Sequence, residues 1–162
     1  MKCLSLHQPW ATAIALGFKR IETRSWAHSW RGEIAIHAAK NTSALRDGTM
    51  TDLSAMTDGA FGEYLPGDPT LYPLGAVVAV ARLVDCVPTS IIDDHERWRG
   101  LRSDINEIYG NYMPGRFGWI LENVRALREP FPLRGQQGLW TITREQADAV
   151  VALAGGRMEV RQ

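Results

Sequence analysis

A chain of 162 residues suffices for one domain whose core needs no disulfide bonds. Its 18 basic and 18 acidic side chains cancel, which excludes a strong overall field for a polyanion, so any nucleic-acid contact must come from a local basic patch. No apolar run is long enough for a membrane span, and the N-terminus lacks a signal-peptide layout. We therefore expect a cytoplasmic protein with no membrane partner.

The first forty residues predict three strands and a short helix. Residues 2–6 are typical of a strand, and a helix is predicted over residues 10–16, with a proline before it and Gly17 fitting its C-terminal end. A short strand is predicted over residues 21–23, and a strand with clearer alternation over residues 32–38. In the strand over residues 32–38, alternate side chains are expected to face two different layers.

The middle of the chain is less regular. Residues 41–74 are rich in Thr, Asp, Gly and Pro and are interpreted as an excursion from the domain, with a possible helix over residues 52–61. The almost continuously apolar residues 76–84 predict a central strand covered on both faces. Residues 89–115 are again polar and irregular, with a helical turn expected at residues 94–100.

The longest predicted strand covers residues 116–127. Its alternation places Trp119 and Leu121 on one face and Ile120 and Val124 on the other. Since successive side chains of a strand point to opposite faces of the sheet, this strand is expected to contact two layers.

A final strand is predicted over residues 138–142, followed by a C-terminal helix over residues 144–154. The sequence from Thr143 to Gln146 has the form of a capping box, which marks the start of that helix. Strands of unequal length with irregular connections and few helices favour the α+β class over a βαβ array. The best fit is one domain over residues 1–162 with a small, mixed, barrel-like sheet; a flat two-layer sheet is the alternative.

Cysteines and histidines give no indication of a metal site or a cofactor. Cys3 and Cys86 lie in apolar, strand-like runs, which is typical of small core residues in a reducing compartment. The four histidines lack zinc-like spacing. Glu33 and His37 share a strand face, but four residues of strand separate them by about 13 Å, which is too far for one ion.

Three charged residues, Lys19, Glu22 and Arg24, lie within six positions and begin a basic run that extends to Lys40. If this segment is half buried, the charges must satisfy one another or await a polar ligand. In the ligand interpretation, the two cations hold a phosphate or polarise a carbonyl, while Glu22 accepts from a base edge or acts as a general base. In the structural interpretation, Glu22 and Arg24 form an ion pair that closes the barrel. Residue types alone favour the structural interpretation.

Further candidates lie near the first helix. Ser5, His7 and Gln8 offer short polar groups beside Pro9 and Trp10, which are expected to form an aromatic wall for a base. Such stacking is worth roughly 1–3 kcal/mol per base. A core position for Trp10 is an equal alternative, and His7 is interpreted as a positioning group.

The remaining candidates lie in later segments. Ser25 and Trp26 belong to a basic, aromatic loop for which RNA contact and simple anchoring are equal alternatives. His37 and Lys40 lie where a strand ends, and Lys40 would attract phosphate if this end faces a cleft. Asn123 is interpreted as an inward amide that either contacts a ligand or satisfies a loop backbone.

Several motifs occur together in the order of a known family. They are Ser5–Ala11, Gly17–Trp26, Arg31–Ala38, Trp119–Val124 and Gly135–Trp140. In this combination, above all in the Gly-x-Lys-x-x-Glu-x-Arg pattern, the chain resembles the ASCH (activating-signal-cointegrator homology) family of the PUA-like superfamily, in its bacterial and phage form. The resemblance covers residues 2–40 and 75–142. It implies a PUA-like mixed β-barrel with flanking helices and a cleft between the first helix and the barrel.

The resemblance also implies a role in RNA biology. One branch of the family is similar to amidohydrolases that deacetylate N4-acetylcytidine with a lysine and a threonine three residues apart; Lys19 matches the lysine, but Glu22 occupies the threonine position. Ribonuclease activity has also been proposed within the family. The leading hypothesis is binding of RNA or a modified nucleoside, which the positional match favours, and the alternative is a hydrolase with Lys19, Glu22 and Arg24 as catalytic residues. A protein-interaction adaptor is a third possibility. The expected nucleic-acid-binding residues are Ser5, His7, Gln8, Pro9, Trp10, Lys19, Arg24, Ser25, Trp26, His37, Lys40 and Asn123.

Overall fold

The computed structural model describes residues 1–46, 65, 67–92 and 109–155. Their elements in chain order are β1 (Lys2–Leu6), α1 (Trp10–Ala15), β2 (Ile21–Arg24), β3 (Gly32–Ala38), α2 (Ser43–Arg46), β4 (Ala76–Pro88), β5 (Phe117–Pro132), β6 (Leu139–Thr141) and α3 (Arg144–Leu153). Single-turn 3-10 helices lie at Pro69–Leu71 and Thr89–Ile91. The helix predicted over residues 52–61 and the turn predicted at residues 94–100 lie outside the described residues.

The strands form one mixed sheet in the order β2-β5-β4-β3-β1-β6. Only the β1–β3 pair is parallel; the other neighbours are antiparallel. With its flanking helices this sheet confirms the predicted α+β class. Among the described strands, β2 and β6 are edges that do not pair with each other, so the barrel is open on that side.

Two apolar layers cover the two faces of the sheet. Helix α1 packs on one face, where Ile34 and Ile36 of β3 are fully buried. Helix α3 packs on the other face, where Ala35 of β3 contacts a cluster that includes Val150. Neighbouring residues of one strand therefore serve different layers, which confirms the predicted alternation in β3.

The sequence signals that end α1 and begin α3 are both present in the structure. Gly17 follows α1 with a φ of 85°, a left-handed conformation that glycine adopts without steric penalty. At α3, the Thr143 hydroxyl accepts from the Gln146 amide at 3.2 Å, and the Gln146 side chain accepts from the Thr143 amide at 3.0 Å. The predicted capping box is thus confirmed. None of the helices in the described ranges has the length and apolar content to cross a membrane.

Strand β5 is bulged in its middle. Between Glu122 and Arg125 it has one residue more than the facing segment of β4, and Asn123 takes a left-handed φ of 49° there. One extra residue reverses the side to which the following side chains point. Val124 therefore packs into the α1 layer, and its predicted position on the opposite face is wrong. Asn123 is exposed, so the predicted inward amide is also wrong.

Candidate nucleic-acid interface

A cleft with two compartments opens where β1, β2 and β3 end. The first compartment, called the large hollow, has a volume of about 1080 Å³ and extends to the β5–β6 loop, residues 133–138. The second, called the small hollow, has a volume of about 280 Å³ and lies between the start of α1, β2 and the segment 109–116. Both volumes are of the order found for ligand sites.

Arg24 stands where the two hollows meet, since it lines both together with Leu6 and His7. Its Nη2 atom donates to the Ser5 carbonyl oxygen at 2.8 Å. This bond joins β2 to β1 although the two strands are not neighbours in the sheet. The side chain remains 28% exposed, so Arg24 holds the open side of the sheet together and still faces the cleft.

Lys19 lies inside the protein, behind the small hollow. Its side chain is fully buried, and its Nζ atom donates to the carbonyl oxygens of Ile21 at 2.7 Å and Tyr109 at 2.6 Å. The third neighbour is Glu22, whose Oε2 atom is 3.3 Å away. Three partners satisfy the three protons of the ammonium group. The expectation that Lys19 is exposed to a ligand is therefore wrong.

Burial also affects the protonation of this lysine. Loss of solvent lowers the pKa of Lys19, and the neighbouring Glu22 carboxylate opposes that shift. The ammonium group thus depends on its three partners to remain charged. This arrangement is typical of an internal anchor that fixes β2 to the segment beginning at Tyr109.

Glu22 links the buried lysine to the cleft. Its Oε1 atom forms an ion pair with Arg24 Nε at 3.1 Å, although the geometry does not meet that of a hydrogen bond. The ion pair of the structural interpretation is thus present. About 10% of the Glu22 side chain is exposed, and it lines the small hollow. Glu22 therefore has both a structural partner and access to a ligand.

Half of the twelve predicted binding residues, together with Glu22, surround the cleft. Those that line one or both hollows are Ser5, His7, Trp10, Glu22, Arg24, His37 and Lys40. The Ser5 hydroxyl also accepts from the indole of Trp140 at 3.2 Å, which ties β6 to the cleft wall. The structure therefore brings together residues from the first, second and third strands, as a cleft next to the first helix requires.

Gln8 and Pro9 lie beneath the cleft rather than in it, because both are buried. The Gln8 side chain accepts from the Thr12 amide at 3.0 Å and donates to the Pro73 carbonyl oxygen at 2.9 Å. It thereby satisfies a backbone N–H group in the first turn of α1 and attaches the segment before β4 to the start of that helix. Neither residue lines a hollow, so the predicted contact of Gln8 with a ligand has no support.

Ser25 and Trp26 also lie outside the two hollows. Trp26 packs edge-on against Trp119, with ring centroids 4.6 Å apart and planes at 84°. The Trp119 indole donates to the Trp26 carbonyl oxygen at 3.2 Å. The anchoring alternative therefore describes Trp26, while Ser25 is exposed at the end of β2.

His37 forms part of the floor of the large hollow, where it is almost fully buried. Its Nε2 atom lies 3.0 Å from the Leu133 carbonyl oxygen, which can only accept, so Nε2 carries the ring proton. Gly135 covers the ring so closely that a Cβ atom there would collide with Cε1. Nδ1 has no hydrogen-bond partner among the described residues.

The burial of His37 predicts a pH dependence of stability. Burial lowers its pKa below the ordinary 6.5, against the opposing effect of the Leu133 carbonyl. The unfolded chain therefore binds a proton first as the pH falls, so the His37 contribution to stability is complete above about pH 6.5 and declines below it. We expect the free energy of unfolding, measured with urea, to decrease less between pH 7 and pH 5 in His37→Gln than in the unchanged protein. Equal decreases in both proteins would contradict the assignment.

Sequence reasoning missed the residues that the β5–β6 loop and the segment 109–116 contribute. Arg134, Gln136 and Gln137 line the large hollow, and Asn111 and Arg116 line the small one. A signal for the loop was available, because residues 134–138 place an arginine and two amide side chains around two glycines between strands.

The charge of the large hollow differs from that of the whole chain. Its described lining includes Arg24, Lys40 and Arg134, and no carboxylate. Since the formal net charge of the chain is zero, the large hollow is a local basic site. The described residues contain no group of three or more His, Cys, Asp or Glu side chains placed to hold a metal ion.

Comparison with known proteins identifies the family. Residues 4–131 match the model of the ASCH domain. The chain belongs to the ASCH family. It is 28% identical over 141 residues to activating signal cointegrator 1 from Homo sapiens and, to the same extent, from Mus musculus. That match covers 86% of this chain but 22% of each relative, so the chain spans about a fifth of their length.

Solved ASCH structures have the same fold. The crystal structure of ASCH from Zymomonas mobilis matches with a TM-score of 0.56 at 16% identity, covering 98% of this chain and 97% of that one. A structure of a mutant of the same protein gives a TM-score of 0.55 at 15% identity and covers 94% and 97%. The sheet and its helices therefore form the PUA-like α+β fold that the sequence motifs implied.

Proposed function

We propose that this ASCH domain binds single-stranded RNA, or a modified nucleoside, in the cleft formed by the two hollows. The observation that carries the proposal is the large hollow, whose described lining holds three cations and no carboxylate. The phosphates of a nucleic-acid strand suit such a site, because each contact releases counterions condensed along the strand. Exposed Lys40 and Arg134 require no rearrangement to reach a phosphate.

The small hollow favours a single strand over a duplex. It is narrow, and Trp10 forms part of its wall as a half-buried side chain. The unpaired bases of a single strand can splay out and stack on aromatic side chains, whereas the bases of a duplex stay stacked on one another. A base at Trp10 and a phosphate at Arg24 would occupy neighbouring sites.

The hydrolase alternative stays a prediction. Lys19 does not line either hollow, and its three protons already have partners. A general base or nucleophile must contact the reacting group. Glu22 and Arg24 reach the cleft, but among the described residues no further observation assigns them a chemical step. The cytoplasmic location likewise stays a prediction.

Binding is tested by fluorescence anisotropy of labelled single-stranded RNA at increasing salt. With three phosphate contacts, we expect the logarithm of the association constant to fall with the logarithm of salt concentration at a slope of about −2. The duplex of the same sequence serves as the comparison and should bind more weakly. Absence of binding to the single strand at low salt would overturn the proposal, as would a slope near zero.

A further inference from the structure

Resting on the RNA binding proposed above, we infer that the small hollow is a base pocket in which Glu22 recognises guanine. The pocket has an acceptor that faces it, an aromatic wall and a cation at its mouth: Glu22, Trp10 and Arg24. Its volume of about 280 Å³ is at the lower end for ligand sites, which fits one base rather than an oligonucleotide. The large hollow then holds the backbone that continues from this base.

The acceptor capacity of Glu22 determines which base fits. An ionised carboxylate has about four acceptor positions on its two oxygen atoms. Lys19 occupies one position on Oε2 at 3.3 Å, and Arg24 lies against Oε1 at 3.1 Å. Each oxygen therefore retains capacity for one further donor. The two remaining positions belong to the two oxygen atoms of one carboxylate.

Guanine offers the complementary pair of donors. Its pairing edge carries the N1–H and N2–H groups next to each other, so one base can donate to both carboxylate oxygens. Adenine and cytosine present one amino group beside a ring acceptor, and uracil presents one N–H between two carbonyl oxygens. A bidentate contact of this kind discriminates between bases by about 1–3 kcal/mol. A carboxylate thus favours guanine over the other three bases.

Two other residues of the small hollow, Thr23 and Arg116, bond to its wall. The Thr23 hydroxyl accepts from the backbone amide of Asn111 at 2.8 Å. Arg116 donates from Nη2 to the Thr23 backbone carbonyl oxygen at 3.2 Å. Arg116 Nε donates to the Asn111 carbonyl oxygen at 3.1 Å. These bonds fix the segment 109–116 against β2. Glu22 is the carboxylate in the described lining, so it is the group that can accept from two adjacent donors of one base.

The experiment compares short oligouridines that carry one central guanosine, inosine or adenosine. Inosine lacks only the N2 amino group, so it removes one of the two donors without changing ring size. We expect the unchanged protein to bind the guanosine oligomer about tenfold more tightly than the inosine oligomer, with adenosine weaker than guanosine by at least as much. Equal affinities for guanosine and inosine would overturn the inference while leaving RNA binding intact. Absence of binding to every oligomer would overturn RNA binding itself.

A variant adds a second test. Glu22→Gln keeps the shape of the side chain but replaces one acceptor with a donor, so the preference for guanosine over inosine should disappear. A retained guanosine preference in folded Glu22→Gln would overturn the inference. If this variant fails to fold because Lys19 loses its partner, the inosine comparison in the unchanged protein decides the question.

Discussion

Lys19→Met is expected to destabilise the domain by about 3–5 kcal/mol, which is a large part of the stability of an ordinary domain. The substitution removes the partner of a carboxylate that is only 10% exposed and removes the charged donor to two carbonyl oxygens. The loss of stability is measured as the difference in free energy of unfolding between the variant and the unchanged protein, determined by urea denaturation. A structural anchor requires this result, whereas a ligand-binding lysine does not.

Lys40→Met is the matched control, because it makes the same chemical change at an exposed position. The stem of Lys40 packs over Gly75, and methionine retains that contact. We expect its stability to change by about 0.5 kcal/mol or less. A second comparison adds Glu22→Gln to Lys19→Met, and the double variant should lose less stability than the two single variants together. Equal stabilities of Lys19→Met and Lys40→Met would contradict the anchor role.

Replacing Lys40 and Arg134 together with glutamine is expected to weaken binding of single-stranded RNA by about thirtyfold at low salt. Each cation contributes about 1 kcal/mol to a neighbouring phosphate in water, and two such contacts convert to that factor. The salt slope should also become shallower, from about −2 to about −0.7, since one of three contacts remains. Both residues are exposed, so the fold should be unaffected.

The control for this double variant changes the net charge equally but elsewhere. Arg82 and Arg144 are exposed and line neither hollow. Replacing both with glutamine should leave the affinity within about twofold and the salt slope unchanged. If the two double variants weaken binding equally, RNA attraction is spread over the surface and the cleft has no special role.

Local patterns in the sequence predicted most of the fold. The alternation in β3, the glycine after α1 and the capping box at Thr143 depend on neighbouring residues, and all three are present. The open side of the barrel was not predictable in this way. Whether β2 pairs with β6 depends on the curvature of the whole sheet, and a bulge such as that at Asn123 changes this curvature without a strong local signal.

The candidate site was predicted in part. The spacing of Lys19, Glu22 and Arg24 correctly indicated charges that must satisfy one another. Which of them remains accessible depends on Tyr109, a partner 90 residues further along the chain. No local pattern reveals that contact. The same limit applies to Arg134, which reaches the large hollow only because β5 bends and ends next to the start of β4.

The most direct test of the central claim is the location of bound RNA on the protein. We propose amide chemical-shift mapping by nuclear magnetic resonance while single-stranded RNA is added. RNA in the cleft predicts the largest shifts at Arg24, Lys40 and residues 134–138. Shifts confined to α3, with none at the two hollows, would contradict the claim.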